Sequence, residues 1–260
     1  MYQQKSAKLS HKILEFVAHN KYLSKTLAIY LFPQYSQSHI EKTLKIVFDN
    51  KLLLRKMIEN EPIRSGREYV YYLSKKGAQR VLFASEKFAD VEEMNVGSGN
   101  SNFIYHDLSV AWTAAIWQKQ SAEYKGVFFD ELTIETRRNF LQNKELIPDL
   151  KIVSKKGDNT LKYYIEIDNF TVQSKEWRKR CLYYQSYLTN NTYLLIVLTK
   201  YNPKRLNKLI AIASNVISKK NSVFGTSIKE IYHCTYAANV WVGKDNVDLG
   251  NNNITMYLPL

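Results

Sequence analysis

Apolar positions change their period several times along this chain, and each change marks an element. Leu9, Ile13, Phe16 and Val17 recur at helical spacing and predict a first helix. Ser24 stands before LAIYLF, which suits a second helix capped by that serine and stopped by Pro33. Ser36 and Ser38 precede HIEKTLKIVFDNKLL, where Ile40, Leu44, Val47 and Phe48 share one face. Glu41 lies three residues after Ser38, the spacing of an S-x-x-E capping box. LLLRKMI and REYVYYL then read as two strands around a polar loop, ENEPIRSG, and SKKGAQRVLFA closes the region as a helix.

Helix, short helix, longer helix and hairpin is the winged helix-turn-helix pattern, so residues 1–85 are expected to form one small domain. Its third helix would enter a DNA major groove and its hairpin would touch the backbone or the minor groove. Residues 86–103, EKFADVEEMNVGSGNSNF, turn acidic and then rich in Gly, Ser and Asn, as a linker or mobile loop does. From residue 104 the pattern becomes α/β. HDLSVAWTAAIWQK predicts a helix with His106 and Asp107 in its first turn. Val127 to Ile134, IPDLKIVS and KYYIEIDNF predict three strands. SKEWRKRCLYYQSYL predicts a helix, TYLLIVLTK a fully apolar central strand, and PKRLNKLIAIASNVISKK an amphipathic helix with proline at its start. EIYHCTYAANVWVG and ITMYL are expected to supply late strands. The fold class is therefore α/β (α+β overall), with a mixed sheet in a second domain over 104–260.

Charge sharpens the picture. The chain has 260 residues with 37 Lys and Arg against 24 Asp and Glu, a net +13 that favours an anionic partner, double-stranded DNA first. Through Ser85 there are 15 Lys and Arg against 6 acids, a net +9 concentrated in the first third. Cys181 and Cys234 lack CxxC spacing, so neither a zinc site nor a disulfide framework is indicated and a bacterial cytoplasm is the expected location. The N-terminus has no apolar core of the signal-peptide kind, and no apolar run reaches the length of a membrane span.

The candidate chemistry lies between Ile147 and Tyr187. Asp149 stands in one apolar run, Glu166 and Asp168 in the next, and alternation along a strand points the last two the same way. If the runs pair, three carboxylates converge, and Mg²⁺ or Mn²⁺ is the expected partner of such a hard oxygen cluster. Three acids also have an ordinary reading: Asp149 as a turn acid after Pro148, Asp168 as a cap or a partner of Arg178, Glu131 as an exposed strand residue. Lys175 and Lys179 lie one turn apart on the following helix and either could reach back to the acids. Tyr183, Tyr184 and Tyr187 follow at helical spacing, which favours core packing over a nucleophile's role.

Pro148-Asp149 followed by Glu166-Ile167-Asp168 on this element order resembles the PD-(D/E)XK nuclease fold, with Asp168 standing where that motif has lysine. More narrowly, the winged N-terminus, His106, Glu131, Pro148-Asp149, IEID and the Lys179/Tyr183 spacing resemble the replication-relaxation family, which includes the MobC-type plasmid relaxases. The resemblance covers roughly Ser10 to Leu198 and implies a DNA endonuclease that nicks one strand at a plasmid transfer origin by hydrolysis, or a protein that relaxes a replication origin. It implies metal ligation by Asp149, Glu166 and Asp168, transition-state stabilisation by Lys179, and site roles for Glu131 and His106. Gln37, Ser38, Lys42 and Lys45 would lie near bases or phosphates, and Arg55, Lys56, Arg64 and Arg67 would hold the backbone. Other mobilisation proteins are candidate partners. Two alternatives share these features: a non-catalytic DNA-binding accessory or replication-initiation factor, and a nuclease of defence or restriction type.

Overall fold

The computed structural model describes residues 2–85, 88, 90, 91, 94, 103–125, 130–136, 148–219, 222–233 and 242–243. The chain is mixed α and β with two sheets, and it divides into two compact units between Ala115 and Ile116.

The first unit follows the expected order. Helix α1 (Tyr2–Asn20) leads through a two-residue strand β1 (Leu23–Ser24) to α2 (Lys25–Leu31) and α3 (Gln37–Asp49). The hairpin β2 (Leu53–Glu61) and β3 (Arg64–Leu73) and helix α4 (Lys75–Ala84) follow. The sheet order is β1-β3-β2, antiparallel throughout. Ser24 caps α2 as expected, its Oγ accepting from the Leu27 amide at 3.0 Å. The capping box expected at Ser38 does not form: α3 starts two residues sooner, Ser36 Oγ accepts from the His39 amide, and Glu41 turns to Gln37 and Lys25 instead. The hairpin loop is also tighter than ENEPIRSG suggests, because Asn60 pairs with Ser65 and Glu61 with Arg64 beyond a register shift at Ile58/Asn60. Gly77 at the start of α4 is required, since a Cβ there would collide with the Leu52 carbonyl.

Two expectations shift at the end of this unit. In the stretch read as a linker, Phe88 and Met94 are buried, Phe88 with its ring 4.6 Å from that of His19. Helix α5 (Ile104–Tyr124), expected wholly in the second domain, gives its first half to the first unit. There Trp112 packs on Tyr30 and donates to buried Glu61, and Asp107 pairs with Lys21 at 2.5 Å. Residues 111–117 are buried on every side of the helix, which is why no single amphipathic face assigned it to one domain.

The second unit is a six-stranded mixed sheet. Its strands are β4 (Glu131–Thr136), β5 (Leu150–Lys156), β6 (Asn159–Asp168), β7 (Thr192–Leu198), β8 (Val223–Ser227) and β9 (Val242–Gly243), in that spatial order. β4 is antiparallel to β5 and β5 to β6, while β6, β7 and β8 are parallel and β9 is antiparallel to β8. Helices α6 (Ser174–Tyr187) and α7 (Pro203–Val216) make the parallel crossovers and pack together on one face. Their core joins Trp177, Cys181 and Tyr184 to Leu194, Ile196 and Leu198 of β7 and to Leu206, Leu209 and Ile210 of α7. On the opposite face Trp117 of α5 stacks on Tyr163, which stacks on Tyr193.

The sequence reading placed late strands differently. VFGTS is β8, buried along its whole length and so without alternation, and EIYH ends a short helix, α8 (Ile228–His233). Ser227 and Glu230 form a reciprocal capping box there, the Ser227 amide donating to Glu230 at 3.1 Å and the Glu230 amide to Ser227 Oγ at 3.4 Å. Gly225 lets α7 approach β8, since a Cβ would lie 2.5 Å from a Leu206 methyl. Cys234 and ITMYL lie outside the described residues.

Candidate functional site

The predicted carboxylates gather where β6 ends. Residues paired across β6 and β7 share a face, and Glu166 and Asp168 stand opposite Ile196 and Leu198, which face α6 and α7. Both acids are nearly inaccessible to water, at 4% and 5% exposed. Asp149 sits at the mouth of β5 beside them. Its amide donates to the Ile165 carbonyl at 3.1 Å, and its Oδ2 accepts from the Ile167 amide at 2.8 Å. Asp149 thus grips the backbone on both sides of Glu166, filling ladder positions that β5 does not reach.

Protein cations neutralise this cluster. Arg180 Nη1 of α6 donates to Glu166 Oε2 at 2.8 Å, and the Tyr184 hydroxyl donates to Oε1 at 2.6 Å. Arg180 is held charged by Glu166 first and by Asp149 further off, so both acids act on the same guanidinium. Burial and then the Glu166 charge push the Tyr184 hydroxyl well above its ordinary pKa, making it a donor and not a nucleophile. Asp168 is taken by a different arginine. Arg205 of α7 donates Nε to Oδ2 at 2.8 Å and Nη2 to Oδ1 at 3.0 Å, a bidentate pair, and also bonds the Val172 carbonyl at 2.5 Å.

This arrangement does not fit a divalent ion as it stands. Among the described residues no group of three or more His, Cys, Asp or Glu side chains is close enough to hold one. Both oxygens of Glu166 and both of Asp168 already accept from arginine or tyrosine. The three-acid ligand set expected from sequence is therefore split: Asp149 and Glu166 stay together, and Asp168 belongs to Arg205.

Other candidates fall elsewhere. Lys179 and Lys175 are exposed, because the inward side of α6 carries Trp177, Cys181 and Tyr184, and Arg180 occupies the position expected of Lys179. Glu131 is an exposed partner of Lys155 at 2.9 Å. Its strand register sets it about six residues, roughly 20 Å, along the sheet from Asp149. His106 belongs to the first unit, half-buried with Nδ1 3.5 Å from Asp107. Burial raises the Asp107 pKa, but His106 and Lys21 outweigh it, and the net shift is downward. Tyr184 is core as expected, while Tyr183 is 40% exposed.

Sequence reasoning missed Arg180, Arg205 and the pair Glu135–Lys151. Lys151 lies two residues beyond Asp149 and bonds both Glu135 oxygens at 3.1 Å. A D-x-K spacing on β5 was the available signal for Lys151; Arg205 carried none, since its partner lies 37 positions away.

The first unit presents a second constellation. Gln37, Ser38, Lys42 and Lys45 are exposed along α3, whose other side buries Ile40, Thr43, Leu44 and Val47. Arg55, Lys56, Arg64 and Arg67 are exposed on the hairpin. Arg67 pairs with Glu59 at 3.1 Å and Arg64 approaches Glu68 at 3.6 Å. The Arg55 guanidinium instead lies between two rings, 4.2 Å from the Phe48 centroid and 4.1 Å from that of Tyr69.

The chain belongs to the replication-relaxation family, which matches residues 14–195. No curated protein matched the sequence. Among solved structures, restriction endonuclease FokI is similar at 9% identity with a TM-score of 0.26, over 83% of this chain and 59% of that one. A likeness that low carries no argument about function. Among the described residues no helix is long and apolar enough to cross a membrane.

Proposed function

We propose that this protein binds double-stranded DNA at a plasmid replication or transfer origin, reading it with a winged helix-turn-helix in its first unit. The observation that carries the reading is the exposed row Gln37, Ser38, Lys42 and Lys45 on α3, next in sequence to a hairpin bearing Arg55, Lys56, Arg64 and Arg67. Such a helix suits a major groove and such a hairpin suits phosphates. Membership of the replication-relaxation family supports the origin as the place of action. Selecting duplexes from a randomised pool tests it. The pool should converge on one motif; Gln37→Ala should relax that motif at one or two positions, and Lys42→Ala should weaken all sequences alike. Failure to retard any duplex would overturn the reading.

A second reading is strand nicking with Mg²⁺ or Mn²⁺, and what favours it is the nearness of Asp149 to Glu166 inside the α/β unit. It requires Glu166 to give up Arg180 and Tyr184. Supercoiled plasmid separates the readings: conversion to open circles by wild type with metal but not with EDTA, and not by Glu166→Ala, would establish nicking. Supercoiled DNA that is bound and left intact under all conditions would leave the binding role alone standing.

A further inference from the structure

We propose that Arg55 is a preassembled phosphate clamp, the hairpin's principal grip on the DNA backbone. The inference rests on the DNA-binding reading above. The four hairpin cations have equal formal charge, and their surroundings set them apart. Arg67 and Arg64 each face a hairpin carboxylate, Glu59 and Glu68, so part of their field is spent within the protein. Among the described residues Arg55 has no ion pair. Its guanidinium sits between the Phe48 ring of α3 and the Tyr69 ring of β3, about equally far from each.

Contact with two rings has a chemical consequence. A guanidinium uses its faces for aromatic rings and its rim for hydrogen bonds. Two rings this close restrain the guanidinium while its remaining N–H groups stay available to acceptors. Tyr71, opposite Arg55 in the ladder, meets it at one side and steadies it further. The residue as a whole stays exposed. An arginine so held has lost most of its rotamer freedom before any ligand arrives, so a phosphodiester meets a fork already in place. Phe48 ties this fork to the C-terminal turn of α3, so the clamp is in register with the helix that carries Lys42 and Lys45.

Fluorescence anisotropy with a labelled random-sequence duplex tests the clamp, since a phosphate contact is independent of sequence. Arg55→Ala should weaken binding about tenfold and shallow the salt dependence by about one phosphate contact. Arg55→Lys keeps the charge but neither fork nor stack, and should lose nearly as much affinity with little change of salt slope. Tyr69→Ala, which leaves Arg55 charged but loosens it, should fall between wild type and Arg55→Ala, and Arg67→Ala should lose least. Thermal unfolding of each variant confirms folding, and Arg55→Lys disturbs packing least. Arg55→Lys binding as well as wild type, or Arg55→Ala no weaker than Arg67→Ala, would overturn the clamp while leaving DNA binding intact. A wild-type protein that binds the duplex weakly and without salt dependence would overturn both.

Discussion

Glu61 in the first unit and Asp168 in the second are 4% and 5% exposed, and the protein deals with their charge in two ways. Glu61 meets neutral donors: the Ser24 hydroxyl at 2.7 Å, the Trp112 indole and the Ile63 amide. Burial outweighs these bonds and pushes its pKa up to about 7. Asp168 meets the fork of Arg205 in a bidentate pair. One acid is made tolerable by keeping its proton, the other by a guanidinium from the next helix. A buried carboxylate in an apolar run therefore signals a partner without saying which kind, and a metal ion is one of three solutions.

The largest test of this contrast removes a cation. Arg205→Ala strands Asp168 without its partner and should cost about 3–5 kcal/mol in urea unfolding, because the remaining charge has no route to water. A double substitution, Asp168→Asn with Arg205→Ala, should recover much of that loss. Equal stability of wild type and Arg205→Ala would mean the pair contributes nothing to the fold.

The next test uses pH. The folded chain holds the Glu61 proton to about pH 7, whereas an unfolded chain loses it near the ordinary value of 4.5. Stability from this group is complete below about pH 4.5, falls as pH rises to about 7 and is level above, a loss of roughly 3 kcal/mol in all. Glu61→Gln should flatten that decline; a decline of undiminished depth would assign it to other groups.

A smaller effect is expected at Arg180. Its side chain is 42% exposed against 16% for Arg205, so water screens what Glu166 loses. Arg180→Ala should cost about 1–2 kcal/mol by the same unfolding measurement, with Tyr184 still donating to Glu166. A cost equal to that of Arg205→Ala would show the two clamps to be equivalent.

How much of this was legible in the sequence follows from the range of each interaction. Helices α1 to α4, the hairpin and strands β5 to β7 rest on local periodicity and could be read directly. Strand β8 could not, because burial on both faces removes alternation and Gly225 breaks the run. The meeting of Asp149 with Glu166 was readable from two adjacent strands. The separation of Asp168 was not, because Arg205 comes from a helix that only the β6–α6–β7–α7 winding brings near. Lys179 and Arg180 are neighbours in sequence, and only the packing of Trp177 and Cys181 decides which of them faces the acids.

The most direct test of the functional account is duplex binding titrated against salt in EDTA, with wild type beside a Lys42→Ala/Lys45→Ala variant. Tight binding without metal, falling steeply with salt, and a slope shallower by about two contacts in the variant is the predicted result. Binding that needs Mg²⁺ or Mn²⁺, or a slope that the two substitutions leave unchanged, would contradict it.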